Sequence, residues 1–161
     1  MRELEKARAI ELRGADRRQA LSRFRARIKR WRIALPSTRP LVLDFGLGDF
    51  QRTGLVEYWI ANELAAGYCG KYLFVFDGQT CPEHSHREKH ETFFVVAGRV
   101  RMRLGRRTLI VKPGDRLPVR PGLKHSFTGI GPALLLELSK PCIVSDNRFT
   151  DRRIPIGRDV R

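Results

Sequence analysis

The sequence predicts an all-β fold, an antiparallel barrel or sandwich with an N-terminal helical extension, and three observations carry that prediction. From residue 41 onward short apolar runs recur (LVLDF, LVEYWIAN, KYLFVF, TFFVV, RVRMRL, TLIV and ALLLELS), each bounded by Gly, Pro, Asp or Asn. The run Arg99-Val100-Arg101-Met102-Arg103-Leu104 alternates arginine with apolar residues, the period of a half-buried strand. Before residue 36 the period changes. Leu21, Phe24, Ile28, Trp31 and Leu35 are spaced 3, 4, 3 and 4 residues apart, one face of an amphipathic helix. Many short strands at even spacing close into a barrel or stack as two sheets.

A weaker helix is expected over residues 2–13, separated by Gly14 from the main one. Asp16 is the expected N-cap of the main helix, with Gln19 three residues on. Arginines fill its polar face, so its apolar stripe is expected to lie on the outside of the barrel or on a partner subunit. Pro36-Ser37-Thr38-Arg39-Pro40 ends helix formation and serves as a linker. The chain thus divides into a basic helical extension, residues 1–40, and a barrel, residues 41–161. Gly105-Arg106 and Lys112-Pro113-Gly114-Asp115 read as hairpin turns. A length of 161 residues suits one hydrophobic core.

Composition narrows the function. At 42% hydrophobic and 9% aromatic the chain is globular rather than disordered. No apolar run approaches the roughly 20 residues that cross a bilayer, so no membrane partner is expected. The opening MRELEKARAIELR lacks the apolar core of a secretory signal. Cys69, Cys81 and Cys142 are odd in number and form no C-x-x-C pair, which fits reduced thiols and a cytoplasmic location. The net charge is +15, but 25 of the 32 basic residues are arginine, and residues 1–32 hold 12 basic against 4 acidic side chains. Over half of the excess therefore lies outside the barrel. No aromatic residues interleave with it as a base-stacking platform would require, so no specific nucleic-acid partner is expected.

Residues 78–98, GQTCPEHSHREKHETFFVVAG, carry the chemistry. His84 and His86 are one residue apart, Glu91 follows five positions later, and Gly78 and Gly98 frame the set. Residues two apart on a strand share a face, so the two imidazoles aim at one point and a returning strand brings Glu91 alongside. In PGLKHSF a Pro-Gly turn delivers His125 as a fourth ligand. Three imidazoles and a carboxylate suit a divalent first-row ion: manganese, iron, zinc, cobalt or nickel. His90, beside Glu91, is expected to face outward, and parity places Cys81 opposite the ligands as a packing residue.

This spacing resembles the first motif of the cupin superfamily, small double-stranded β-helix (jelly-roll) barrels that hold a metal near the axis. Gly114-Asp115 through Pro121-Gly122-Leu123-Lys124-His125 is similar to the second motif, with Arg120 and Gly129 departing from it. Further segments narrow the resemblance: Asp44-Phe45-Gly46-Leu47-Gly48-Asp49-Phe50, Tyr68-Cys69-Gly70-Lys71, Lys89-His90-Glu91-Thr92-Phe93, Glu137-Leu138-Ser139, and Asp146-Asn147-Arg148-Phe149 onward to Ile154. Over residues 42–154 the set resembles the D-lyxose isomerase (D-lyxose ketol-isomerase) family of cupins. That family interconverts D-lyxose with D-xylulose and D-mannose with D-fructose, typically with manganese. The run between His86 and Glu91 and the hairpin at Gly105 are short, where some members insert longer segments.

The resemblance implies a small-molecule sugar substrate. Aldose–ketose isomerisation passes through an enediol and needs a base and a stabilised oxyanion. Glu137, a carboxylate inside ALLLELS, is the candidate base, since a buried carboxylate needs a partner or a task. Lys89, two residues from Glu91, is the second candidate catalytic group. Lys71 and Asp146 are candidate sugar contacts. A non-enzymatic cupin that binds a sugar or sugar acid and an iron-dependent oxygenase are the alternatives. A homodimer is expected, with the Leu21/Phe24/Ile28/Trp31 stripe as available apolar area.

Overall fold

The computed structural model describes residues 2–156. These form two helices, α1 (Arg2–Ala7) and α2 (Gly14–Trp31), followed by strands β1 (Leu41–Leu43), β2 (Leu55–Glu63), β3 (Tyr68–Val75), β4 (Thr80–His86), β5 (Glu91–Ala97), β6 (Val100–Leu104), β7 (Arg107–Val111), β8 (Arg116–Val119), β9 (His125–Gly129), β10 (Ala133–Ser139) and β11 (Asn147–Phe149). The strands make two antiparallel sheets, one ordered β1-β2-β3-β10-β5-β8 and the other β11-β4-β9-β6-β7. Leu73, Val75, Phe93, Val95, Met102 and Phe127 fill the space between them. The result is the antiparallel barrel that the short strand runs predict, in the jelly-roll form that the resemblance implies, with the N-terminal helix that the 3–4 spacing predicts.

Along each strand, alternate residues serve different neighbours. In β2, Leu55 joins the barrel core, while Val56 and Tyr58 point outward to meet α2. Helix α2 lays Leu21, Phe24 and Ile28 against Val56, Tyr58, Phe74 and Leu134 on the outer face of the six-stranded sheet. Phe24 is fully buried, stacked on Tyr58 at 5.5 Å and edge-on to Phe74 at 5.0 Å. Of the two places open to the apolar stripe, α2 uses the outside of the barrel.

The helix boundaries differ from expectation for local reasons. Helix α2 starts at Gly14, not after Asp16: Arg13 is its extended N-cap without a side-chain cap, and Gly14 makes the turn at φ +63°. Asp16 instead lies in the first turn, where its charge complements the helix dipole. At the other end Arg32 adopts a left-handed conformation and its N–H returns to Ile28 and Lys29. Leu35 therefore packs from beyond the helix. The weaker helix ends at Ala7 and a 3-10 turn, Arg8–Ile10, follows it, because the edge strand β1 takes the backbone beyond. Glu11 bridges to Leu43, and the Leu12 N–H donates to Val42 O at 2.7 Å. Ala7 and Ile10 enter the barrel core, and the Glu3 carboxylate accepts the Val144 N–H at 2.6 Å. The extension thus shares the core of the barrel it covers.

Truncating Phe24 removes a fully buried ring from the α2–sheet contact. Phe24→Ala is expected to lower stability by about 3–5 kcal/mol, measured by urea unfolding, with bound-metal content unchanged because the contact lies outside the barrel.

Candidate metal centre

Strand β4 carries His84 and His86, and its register with β9 slips between Cys81 and His84. Pro82, which has no N–H to give the ladder, sits in that slip. The bulge overturns the parity expected for Cys81: the thiol turns into the barrel core on the ligand side, though still as a packing residue. Burial pushes the Cys81 thiol up. Below the slip His84 pairs directly with His125 on β9. Glu91 arrives from the opposite sheet at the start of β5, so the cluster spans the two layers. His90 is exposed, as its position predicts.

His84, His86, Glu91 and His125 bring their ligand atoms within 4.8 Å of one another. His84 Nδ1 lies 2.8 Å from Pro82 O and His125 Nδ1 3.1 Å from Leu123 O. Each Nδ1 therefore carries the proton and leaves Nε2 free as a lone-pair donor, the arrangement of metal-ligating histidines. His125 Nε2 is 2.7 Å and His86 Nε2 3.4 Å from Glu91 Oε1. Yet both nitrogens and the oxygen are buried with no well-directed hydrogen bond. Buried polar atoms of this kind need a partner, and a shared cation would supply it. The residues present fit a divalent ion. Burial, followed by the neighbouring rings of His125 and His86, holds His84 well below the ordinary histidine range; burial also lowers His86. Both stay neutral and ready to ligate.

Beyond the ligands runs a chain of buried charges alternating in sign. Lys89 Nζ is 2.7 Å from Glu91 Oε2 and 2.8 Å from Glu137 Oε1. Lys71 Nζ is 3.5 Å from Glu137 Oε2 and 3.0 Å from Glu57 Oε1. Burial alone would raise Glu91, but the Lys89 ammonium overrides it and holds the carboxyl well below its usual range. At Glu137 burial is likewise overridden, by Lys71 and then Lys89, and the carboxyl stays ionised. Burial would lower the two lysines, yet their anionic surroundings raise both. Glu57, Lys71, His84, Lys89 and Glu137 all border one cavity, lined also by Phe45, Phe149 and Asn147.

The structure therefore brings Glu137, Lys89 and Lys71 together with the four ligands. The partners of Glu137 are lysines, not the arginine that a buried carboxylate in this arginine-rich chain might have taken. Lys89 precedes strand β5 and lies in the 87–90 turn, so it reaches Glu91 through that turn and not through strand parity. Asp146 stands apart from the cavity. Its carboxylate accepts the N–H groups of Arg87, Glu88 and Lys89 at 3.0–3.3 Å and lies 4.0 Å from His86 Nδ1. Glu57 was missed by sequence reasoning, although it carries the signal that marked Glu137, an acidic residue inside an apolar strand. Ser139, whose hydroxyl donates to Glu137 at 3.1 Å, and Phe149, tilted 5.2 Å from His84, had no such signal.

The cupin domain pattern matches residues 74–139. The chain is 33% identical to the D-lyxose/D-mannose isomerase of Thermosediminibacter oceani, over 70% of this chain and 77% of that protein. It is 30% identical to the D-lyxose ketol-isomerase of Cohnella laeviribosi, over 89% of this chain and 94% of that one. The L-ribose isomerase of Acinetobacter sp. DL28, in complex with L-ribose, shares the fold with a TM-score of 0.76 at 14% identity, over 90% of this chain and 95% of that one. The ligand-free L-ribose isomerase of Cellulomonas parahominis does so with a TM-score of 0.75 at 15% identity and the same coverage.

His84→Ala and His125→Ala are each expected to lose most bound metal on dialysis while keeping the wild-type circular dichroism, because the strands supply the core and these rings hold the ion. Metal analysis checks it. The depressed histidines also set a pH dependence. Below about 6.5 the unfolded chain protonates His84 and His86 while the folded chain does not, so the unfolded state binds more protons and stability falls. The urea midpoint of metal-free protein is expected to drop between pH 7.5 and 5.5, and to drop less in His84→Ala.

Proposed function

The chain belongs to the D-lyxose ketol-isomerase family of cupins, and on that premise we propose that it is a metal-dependent aldose–ketose isomerase. Its substrate pair is D-lyxose and D-xylulose, with D-mannose and D-fructose as a second pair. The observation that carries this reading is Glu137, a buried carboxylate kept ionised between two ammonium groups beside the four-residue cluster.

Isomerisation moves one proton between adjacent carbons and another between their oxygens. Glu137, as a carboxylate, takes the carbon-bound proton and returns it to the neighbouring carbon, passing through an enediol. Lys89 Nζ is shared between Glu137 and Glu91, and to its third N–H we assign the oxygen on which charge develops. A divalent ion held by His84, His86, Glu91 and His125, which we assign as manganese, would polarise the carbonyl and stabilise charge on the two oxygens. Lys71 holds Glu137 from the side opposite Lys89. Asp146 fixes the 87–89 backbone, and with it the root of Lys89. We therefore give Lys71 and Asp146 positioning roles, since their polar atoms are taken up by protein groups. The phenyl rings of Phe45 and Phe149 give the cavity an apolar wall.

Three free, buried thiols support a reducing cytoplasmic setting. Exposed Ile60, Phe94 and Leu138 on the six-stranded sheet support a homodimer. Among the described residues no helix is long and apolar enough to cross a membrane.

Purified protein with manganese and D-lyxose is expected to yield ketose, and chelation to stop it. Sugar binding without ketose would favour a non-enzymatic sugar-binding cupin. Glu137→Gln keeps the side-chain outline but cannot accept the proton at neutral pH. Turnover is expected to fall by roughly a hundredfold to ten-thousandfold with metal content unchanged, read by ketose assay beside metal analysis. Wild-type turnover in this variant would remove Glu137 as the base.

A further inference from the structure

Lys71 has its contacts fully specified. It projects from β3 into the barrel, and a buried ammonium has three N–H donors to place. Three acceptors surround it: Glu57 Oε1 at 3.0 Å, Glu137 Oε2 at 3.5 Å and Cys142 Sγ at 3.5 Å. Its side chain is 7% exposed and that of Glu57 9% exposed, so water supplies little to either. The Trp59 ring lies 5.5 Å from the ammonium. Glu57 is the nearest acceptor, and Lys71 is its only ion-pair partner among the described residues.

The charge balance shows why this matters. Lys89 already divides itself between Glu91 and Glu137. Without Glu57, two buried ammonium groups would share Glu91, whose oxygens also serve the histidine cluster, and Glu137 alone. We propose that Glu57 is a positioning residue for the isomerase reaction. It anchors Lys71 as an ammonium against Glu137, so that the base carboxylate is gripped from two sides and stays ionised and oriented. This rests on the isomerase reading for its consequence in turnover, but the anchoring of Lys71 is independent of it.

Two readouts test the two parts separately. Seven lysines in the chain make selective ¹³C and ¹⁵N lysine labelling tractable, with Lys71 assigned from a Lys71→Gln variant. In the wild type, burial opposes the charge on Lys71, and the Cys142 sulfur, Glu137 and Glu57 overcome it. The groups that face Lys71 are Glu57 on β2, Glu137 on β10, Cys69 on its own strand β3, Cys142 beyond β10, and the Lys89 ammonium from the 87–90 turn. Removing the Glu57 charge takes away a raising influence, so Lys71 in Glu57→Gln is expected to lose its proton at a pH lower by about one unit or more. Glu57→Asp, which keeps the charge but withdraws it, is expected to shift in the same direction by less, and it serves if the Gln variant does not fold.

In turnover, Glu57→Gln is expected to lower kcat about tenfold with KM within about twofold, metal content unchanged and an alkaline limb moved to lower pH. The Asp variant is expected to recover part of kcat. A Lys71 titration identical in wild type and both variants overturns the proposal, as does wild-type kcat with an unmoved alkaline limb in Glu57→Gln. If the wild type makes no ketose from any aldose, the isomerase reading fails, while the lysine titration still decides whether Glu57 anchors Lys71.

Discussion

Five ionisable side chains alternate in sign across the inside of this barrel: Glu57, Lys71, Glu137, Lys89 and Glu91. Each is buried, and each would be costly there alone, because an uncompensated charge loses its hydration without a partner in return. Their contacts make them one unit. Glu91 ends the chain as both a partner of Lys89 and a member of the histidine cluster, so the charges that hold Glu137 reach the cluster as well. The jelly roll supplies the rigidity this needs. Glu57, Lys71 and Glu137 stand on three adjacent strands of one sheet, with Glu137 directly opposite Lys71 in the register.

The two sheets divide the labour. The six-stranded sheet carries Glu57, Lys71, Glu137 and Glu91, while the five-stranded sheet carries the three imidazoles. The chain crosses from one to the other in the 87–90 turn, and Asp146 accepts three backbone N–H groups of that turn. A single carboxylate thereby fixes the crossing that places Lys89 and Glu91. Helix α2 covers the outer face of the six-stranded sheet, so the strands that bear the charges are packed on both sides.

How much of this was legible in the sequence depends on the range of the interaction that decides each feature. The strands with clean alternation, such as β6, and the stripe of α2 follow from local period, and both formed. His84 and His86 could be read because their spacing encodes a shared strand face, and Glu91 and His125 because a short return and a Pro-Gly turn bring them back to it. Cys81 was misplaced because a bulge at Pro82 breaks the parity that such reading assumes. Asp16 was misread as a cap because Gly14 makes the turn. Glu57 was overlooked because its partner Lys71 lies on the neighbouring strand and only the register joins them. The network around Glu137 depends on three strands and a turn meeting, and no single stretch of sequence contains it.

We propose Glu137 as the base, and the fate of the proton it moves is directly measurable. Isomerisation of D-lyxose run to equilibrium in deuterium oxide, with the ketose examined by mass spectrometry and NMR, reports whether the carbon-bound hydrogen passes through an exchangeable group. Deuterium at the carbon that receives the proton is the predicted result, since a carboxyl group exchanges with solvent. Ketose formed with the original hydrogen wholly retained would contradict the account, because the hydrogen would then have moved directly from carbon to carbon without Glu137.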